Sequence, residues 1–228
     1  MSPPMTIRDQ ALLGSAQSSE AYSNTDFLSD ASLWLMQDSS EIGVSSNKLN
    51  YDANSDGTND AASYDIGIEL SDVWVMRYKN TITALVDGSP YTCRFSIMMG
   101  SLPSSSSSSV AQDASGNFIQ WFNTSAHKKW MVSYADNGRP DSNPTASSYI
   151  PAVETRYIEV IRNGTNLTLN IFSDSGFTSL DATISTTISG TVSGLRYLRA
   201  SNRVHTGTGS IEGYIENLAL YDTVTSPP

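Results

Sequence analysis

The sequence is short of the residues from which most catalytic and metal centres are built. It has one cysteine, Cys93, and two histidines, His127 and His205. A single thiol excludes an intrachain disulfide. Its place inside the strand-like run TCRFSIMMG predicts a buried free thiol rather than a reactive one. Two histidines exclude any centre that needs several imidazole ligands. Cations are scarce as well: 13 Lys and Arg stand against 23 Asp and Glu, a formal net charge of −10. Nucleic-acid binding requires clustered cations on phosphates, and the one adjacent basic pair of note is Lys128-Lys129. No apolar run approaches a membrane span, so no membrane insertion is expected. MSPPMTIRDQALLGSAQSSEAYSN lacks the basic-then-apolar order of a signal peptide.

What is present points to an ordered β protein. Charged residues make up 16% and aromatics 9%, with four Trp and eleven Tyr. Ser, Thr, Asn and Gly are abundant, and a disordered chain would be poorer in aromatic and β-branched residues. Short alternating runs dominate. LNYDA places Leu49, Tyr51 and Ala53 on one face, CRFSIMMG places Phe95, Ile97 and Met99, and NLTLNIFS places Leu167, Leu169 and Ile171. SIEGYIENLALYD starts with Ile211 and Ile215 in phase and then switches to Leu218 and Leu220. That switch predicts a bulge near Glu216-Asn217. SDVWVMRYKNTITAL and RYIEVIRNG are apolar on both faces, as in the middle of a sandwich. Turn signals such as Asp56-Gly57, Asp87-Gly88 and Asn163-Gly164 separate the runs. About twelve strands are expected, with one weak helix over 7–22. LPSSSSSSVAQDASG (102–116) reads as a long loop inside one domain.

The order of these segments resembles the concanavalin A-like lectin/glucanase superfamily, in its laminin G-like jelly-roll branch. TDFLSDASLW (25–34) resembles the opening strand. KLNYDANSDGTNDAASYDIG resembles the next hairpin, and LSDVWVMRYKNTIT the long strand after it. RFSIMMGS and NFIQWF resemble strands of the concave sheet. RYIEVIRNGTNLTLNIFSDSGFT resembles paired strands joined at Asn163-Gly164, and GSIEGYIENLALYD the closing strand, which usually lies beside the first. The likeness covers roughly 25–223. It leaves 1–24 as an N-terminal arm and 224–228 as a tail or linker start, and it implies an all-β, antiparallel jelly-roll sandwich.

The superfamily includes glycosidases and polysaccharide lyases, so catalysis has to be weighed from the residues. Glycoside hydrolysis needs two carboxyls at fixed separation. Glu212 and Glu216 are nominally in phase, but they lie in the closing strand and straddle the expected bulge, so a solvated outer face is the expectation. No Gln-x-His strand of the kind the related lyases use is present, nor a Gly-x-Ser-x-Gly elbow. No catalytic residue is assigned.

Non-catalytic binding of a glycan or polysaccharide, or adhesion, is the leading expectation, in a secreted, cell-surface or virion-surface setting. Sugars are held by aromatic faces with polar groups on their hydroxyls. FIQWFNTSAHKKWMVSYADNGR supplies Trp121, Trp130 and Tyr134, with Asn123, Asp136 and Arg139 as polar partners. The alternative for each aromatic is core packing, which is assigned outright to Trp34 and Trp74. Two other roles stay open. One is a structural part or decoration of a filament, sheath or capsid, with self-assembly or a parent multidomain protein as partner. The other is a lyase or hydrolase with an unrecognised site.

Asp52, Asn54, Asp56 and Asp60 match the first half of an EF-hand-type loop, with Gly57 at the sharp turn. Ser63 stands where a bidentate Glu belongs, and no helix follows. The segment therefore reads either as an isolated structural Ca²⁺ loop or as a hairpin tip turned by Asp56-Gly57. The resemblance implies a further structural Ca²⁺ site at Asp26 and Asp222.

Overall fold

The computed structural model describes residues 20–22, 27–37, 41–53, 60–86, 94–103, 116–124, 129–136, 139–140, 145–203 and 209–226. Two antiparallel sheets form, with strands numbered in chain order. Sheet A runs β14 (Leu180–Thr187), β13 (Asn166–Phe172), β12 (Thr155–Asn163), β6 (Val73–Val86), β16 (Ser210–Asp222), β4 (Lys48–Ala53), β3 (Ile42–Ser45), and β1 (Glu20–Tyr22) pairs with β16. Sheet B runs β10 (Arg139–Pro140), β9 (Lys129–Asp136), β8 (Phe118–Thr124), β7 (Arg94–Gly100), β15 (Tyr197–Arg203), β5 (Ala61–Asp65), β2 (Trp34–Gln37), and β11 (Thr145–Ala146) pairs with β9. The expected all-β jelly-roll sandwich is the fold.

The alternating residues meet between the sheets, because period 2 gives each strand one face to bury. Leu49, Tyr51 and Ala53 from β4, Leu167, Leu169 and Ile171 from β13, and Phe95, Ile97 and Met99 from β7 all enter one core. Trp34 and Trp74 join it, as expected. The phase switch in β16 is a bulge: register shifts between Glu216 and Ala219, and Asn217 sits at φ 55°. The extra residue lets Ile211 and Ile215 before it, and Leu218 and Leu220 after it, face the same core.

Close approach fixes one position in β16. A Cβ at Gly213 would lie 2.6 Å from the Tyr51 hydroxyl oxygen. Tyr51 stacks on Phe95 at 3.8 Å and donates to Asn80 Oδ1 at 3.0 Å, so its ring cannot move aside.

Three expectations are corrected. β4 and β5 do not form a hairpin, since β4 lies in sheet A and β5 in sheet B. The Asp/Asn-rich segment therefore joins the two layers. The TDFLSDASLW segment is not one strand: Asp30 caps a 3₁₀ turn over Ala31–Leu33, and β2 begins only at Trp34, in sheet B and away from β16. Residues 20–22, expected at the end of a helix, are strand β1. The strands outnumber the expected twelve partly because β1, β10 and β11 are two or three residues long, too short for periodicity to register. Cys93, His127, His205 and residues 104–115 lie outside the described residues.

Candidate functional site

The aromatic residues expected to carry recognition are core residues. Trp121 is 1% exposed; its indole N–H donates to the Tyr78 hydroxyl at 2.8 Å, and its ring lies 6.4 Å from Trp74. Trp130 is 3% exposed in the same core. No ring face of either is open to a sugar, which corrects their assignment as stacking platforms. The cause is strand phase. Ile119 and Trp121 point between the sheets, whereas Phe118 and Gln120 point away from the core.

The polar partners are placed differently from one another. Tyr134 is half-buried and packs against the core edge. Asp136 Oδ2 accepts from Ser189 Oγ at 3.0 Å and from Thr191 Oγ1, tying β9 to the segment after β14. Asn123 and Arg139 belong to β8 and β10, but their side chains lie outside the described part.

The other face of sheet B carries a second buried layer, polar where a core would be apolar. Strand register places Ser63, Arg199, Met98, Gln120 and Ser133 in one row across β5, β15, β7, β8 and β9. The next row contains Ser201 and Ser96. Arg199 is 3% exposed, Gln120 2% and Ser96 0%. Met98, Phe118 and Ala135 form a small apolar cluster in this layer, separate from the main core. Arg199 fits because Gly100 has no side chain: a Cβ there would lie 2.8 Å from Arg199 Cδ. Gln120 Nε2 reaches Ser96 Oγ only at 3.5 Å, and Ser201 Oγ is buried with no hydrogen-bond partner. A buried hydroxyl without a partner is costly, so Ser201 is a local weak point of the layer. At its rim, Arg196 grips Asp65 through two bonds of 2.7 and 2.9 Å and holds that carboxyl below its ordinary pKa.

This row, absent from the expected site, has a signal in the sequence. RYLRASNR alternates Leu198 and Ala200 with Arg199 and Ser201, which marks a mid-sheet strand with a polar second face.

The acidic segment resolves into a junction between the sheets. Asp60 Oδ2 accepts from the Glu41 amide at 2.5 Å, and Asn202 Oδ1 accepts from the Asp60 amide at 2.5 Å. Asn202 Nδ2 donates to Glu41 Oε2. The Asp52 amide donates to the Glu41 carbonyl at 2.8 Å, and Asp52 Oδ1 is buried with no hydrogen-bond partner. Glu41 and Asn202 were not expected here. Glu41 reaches Asp52 through the β3–β4 pairing of Ile42 with Tyr51, and Asn202 reaches Asp60 through the β5–β15 pairing of Ala61 with Ser201. Asn54, Asp56 and Asp26 lie outside the described residues. Among the described residues, no three acidic, His or Cys side chains are arranged to hold a metal. The donor set is nonetheless all hard oxygen, the chemistry calcium requires, with Asp52 and Asp60 flanking Asn54 and Asp56. Asp222 is engaged elsewhere: its Oδ1 accepts from the Ser71 amide at 3.0 Å and from Ser71 Oγ at 2.7 Å.

No protein-family model matches the sequence, and no curated protein matches it. Solved structures do match. A Bacillus subtilis protein of unknown function with a galectin-like fold superposes with TM-score 0.57 at 11% identity, covering 90% of this chain and 96% of its own. A legume lectin-like domain from Entamoeba histolytica gives 0.58 at 13% identity, covering 84% and 91%. The exoplasmic/lumenal domain of VIP36, in its Ca²⁺/Man3GlcNAc-bound form, gives 0.55 at 11% identity, covering 86% of each chain. Identities this low speak to architecture alone. By its two-sheet topology and these superpositions, the chain has the concanavalin A-like lectin/glucanase jelly-roll fold.

Proposed function

We propose that this protein is a non-catalytic saccharide-binding module that holds its ligand on the outer face of sheet B. The observation that carries the reading is the lectin-like architecture, shared with a legume lectin-like domain and with VIP36 in its Ca²⁺/Man3GlcNAc-bound form, together with the polar layer of Ser63, Arg199, Gln120 and Ser133 that underlies this face of sheet B. A polar layer beneath the sheet suits a hydroxyl-rich ligand better than an apolar one would. The lectin-like fold is consistent with the reading. The acidic, hydroxyl-rich composition suits display outside a cell or on a virion.

Screening on a glycan array and by polysaccharide gel shift tests it. Gln120→Ala and Arg199→Lys are expected to weaken binding about tenfold or more while unfolding cooperatively, as loss of one buried polar contact predicts. Wild-type protein that binds no glycan but assembles with concentration would turn the reading to a filament, sheath or capsid domain. Release of unsaturated uronate or reducing sugar would turn it to an enzyme.

The same proposal assigns a structural Ca²⁺ to the junction between the sheets, held by Asp52 and Asp60 with Asn54 and Asp56. The buried, unpartnered Asp52 Oδ1 supports this, since a cation would satisfy it. Calcium at a hundred times its Kd is expected to stabilise the fold by about 2.7 kcal/mol. Asp52→Asn should abolish most of that gain. Equal melting temperatures in EDTA and in millimolar calcium would remove the ion from the account.

A further inference from the structure

The outer face of sheet A, opposite the polar row, holds a cavity of about 290 Å³. Arg77 and Lys79 of β6 line it, with Tyr157 of β12 and Phe177 of the β13–β14 loop to one side and Asn217 and Tyr221 of β16 to the other. Two backbone irregularities shape it. The β16 bulge brings Ala219, a small residue, into register with Arg77. The β13–β14 loop holds Phe177 at φ 54°, a left-handed conformation that disfavours a bulky side chain. Asn217, on the opposite wall, has φ 55°. Two of the residues forced into this region therefore border one cavity.

The strained loop is fixed from within. Asp174 accepts from the Gly176 amide at 2.9 Å, the Thr178 amide at 3.1 Å and the Ser179 amide at 2.5 Å. Phe177 then meets Tyr157 edge-on at 6.0 Å and Phe172 at 5.4 Å, with the Arg77 guanidinium 4.3 Å over its ring. The cations in the wall are charge-balanced. Arg77 binds Glu159 Oε2 through Nε at 2.8 Å and Nη2 at 2.6 Å, and Lys79 pairs with Glu216. Asn170 Nδ2 holds the other Glu159 oxygen at 3.2 Å. These pairings leave Arg77 Nη1 and two Lys79 N–H groups able to donate.

We propose that this cavity is a second saccharide site, sized for one neutral pyranose. Aromatic walls suit the weakly positive C–H faces of a sugar ring, because π faces are electronegative. Donors held in place by their carboxylate partners suit its hydroxyls at little ordering cost. Local charge balance favours a neutral ring over a uronate or a phosphate. The volume lies at the small end of ligand pockets and fits one sugar unit. The site does not depend on sheet B, and a protein with both would present saccharide sites on opposite faces.

Amide-detected NMR titration with methyl α-mannoside, methyl β-galactoside, methyl β-glucoside and glucuronate tests it. At least one neutral glycoside should shift the amides of Ser175–Phe177 and Asn217–Ala219, with a Kd on the order of 1 mM for so small a ligand. Glucuronate should not. Phe177→Gly, which suits the backbone at this position, should abolish the shifts, and Phe177→Tyr should keep them. Gln120→Ala should leave them intact, which separates this site from sheet B. Where Phe177→Gly disturbs the Asp174-bonded amides of the free protein, Tyr157→Ala carries the same expectation. No shift with any neutral glycoside, equal shifts with glucuronate, or shifts that survive loss of both rings would overturn the proposal.

Discussion

Trp121→Ala is expected to destabilise the domain by about 3–5 kcal/mol, the range for deleting a large buried aromatic side chain. The substitution removes an indole that is 1% exposed and sits between the sheets against Trp74. It also removes the indole N–H that donates to the Tyr78 hydroxyl at 2.8 Å. Tyr78 is buried, and burial already drives its ionisation far above the ordinary range, so a charged escape is closed to it. A buried hydroxyl left without that donor adds to the cavity cost. Trp121→Phe keeps part of the volume and should cost less. Urea unfolding followed by circular dichroism reads both. A Trp121→Ala protein within about 1 kcal/mol of wild type that no longer binds glycan would restore the tryptophan to a binding role.

Arg162→Ala is expected to cost about 3 kcal/mol, from a void and from backbone carbonyls left without their donor. The Arg162 side chain is 1% exposed, and burial lowers its pKa while Asp72 opposes the shift. Its Nη2 reaches the Val192 carbonyl at 2.5 Å and Asp72 at 2.7 Å, and Nε reaches the Gly164 carbonyl at 3.2 Å. One side chain thus ties the β12–β13 turn to the segment leading into β15. Asp72→Ala should cost far less, because that carboxylate is 57% exposed and its attraction is screened by water. Thermal and urea unfolding of the pair measures the difference. Equal losses in both variants would mean that the ion pair, not the carbonyl contacts, carries the stability.

Much of the fold was legible because alternation is a local property. The apolar phases of β4, β7 and β13 each gave the correct core face, and the phase switch in β16 gave its bulge. The face of β8 was not legible in the same way. Phe118 and Phe122 stand in one phase and Trp121 in the other, so both read as half-apolar. The choice was made across the sandwich, where Tyr78 supplies the partner for an indole N–H. The β4–β5 segment failed for a related reason. Asp56-Gly57 carries a genuine turn signal, but sheet membership depends on distant partners: β16 for β4, and β15 for β5. The polar row on sheet B is legible along β15 and invisible as a row, because its members come from five strands.

The place of β16 has a consequence for how the chain is made. This strand lies between β6 and β4, yet it is the last of the described strands in sequence. Until residue 222 has left the ribosome, β12, β13 and β14 can gather on β6, and β3 on β4, but each group ends in a bare edge. Exposed edges of that kind are templates for pairing with another nascent chain. Sheet A is therefore completed only after nearly all of the described chain has been synthesised. Its yield in a cell would follow how well the half-built sheet is kept from its neighbours during translation.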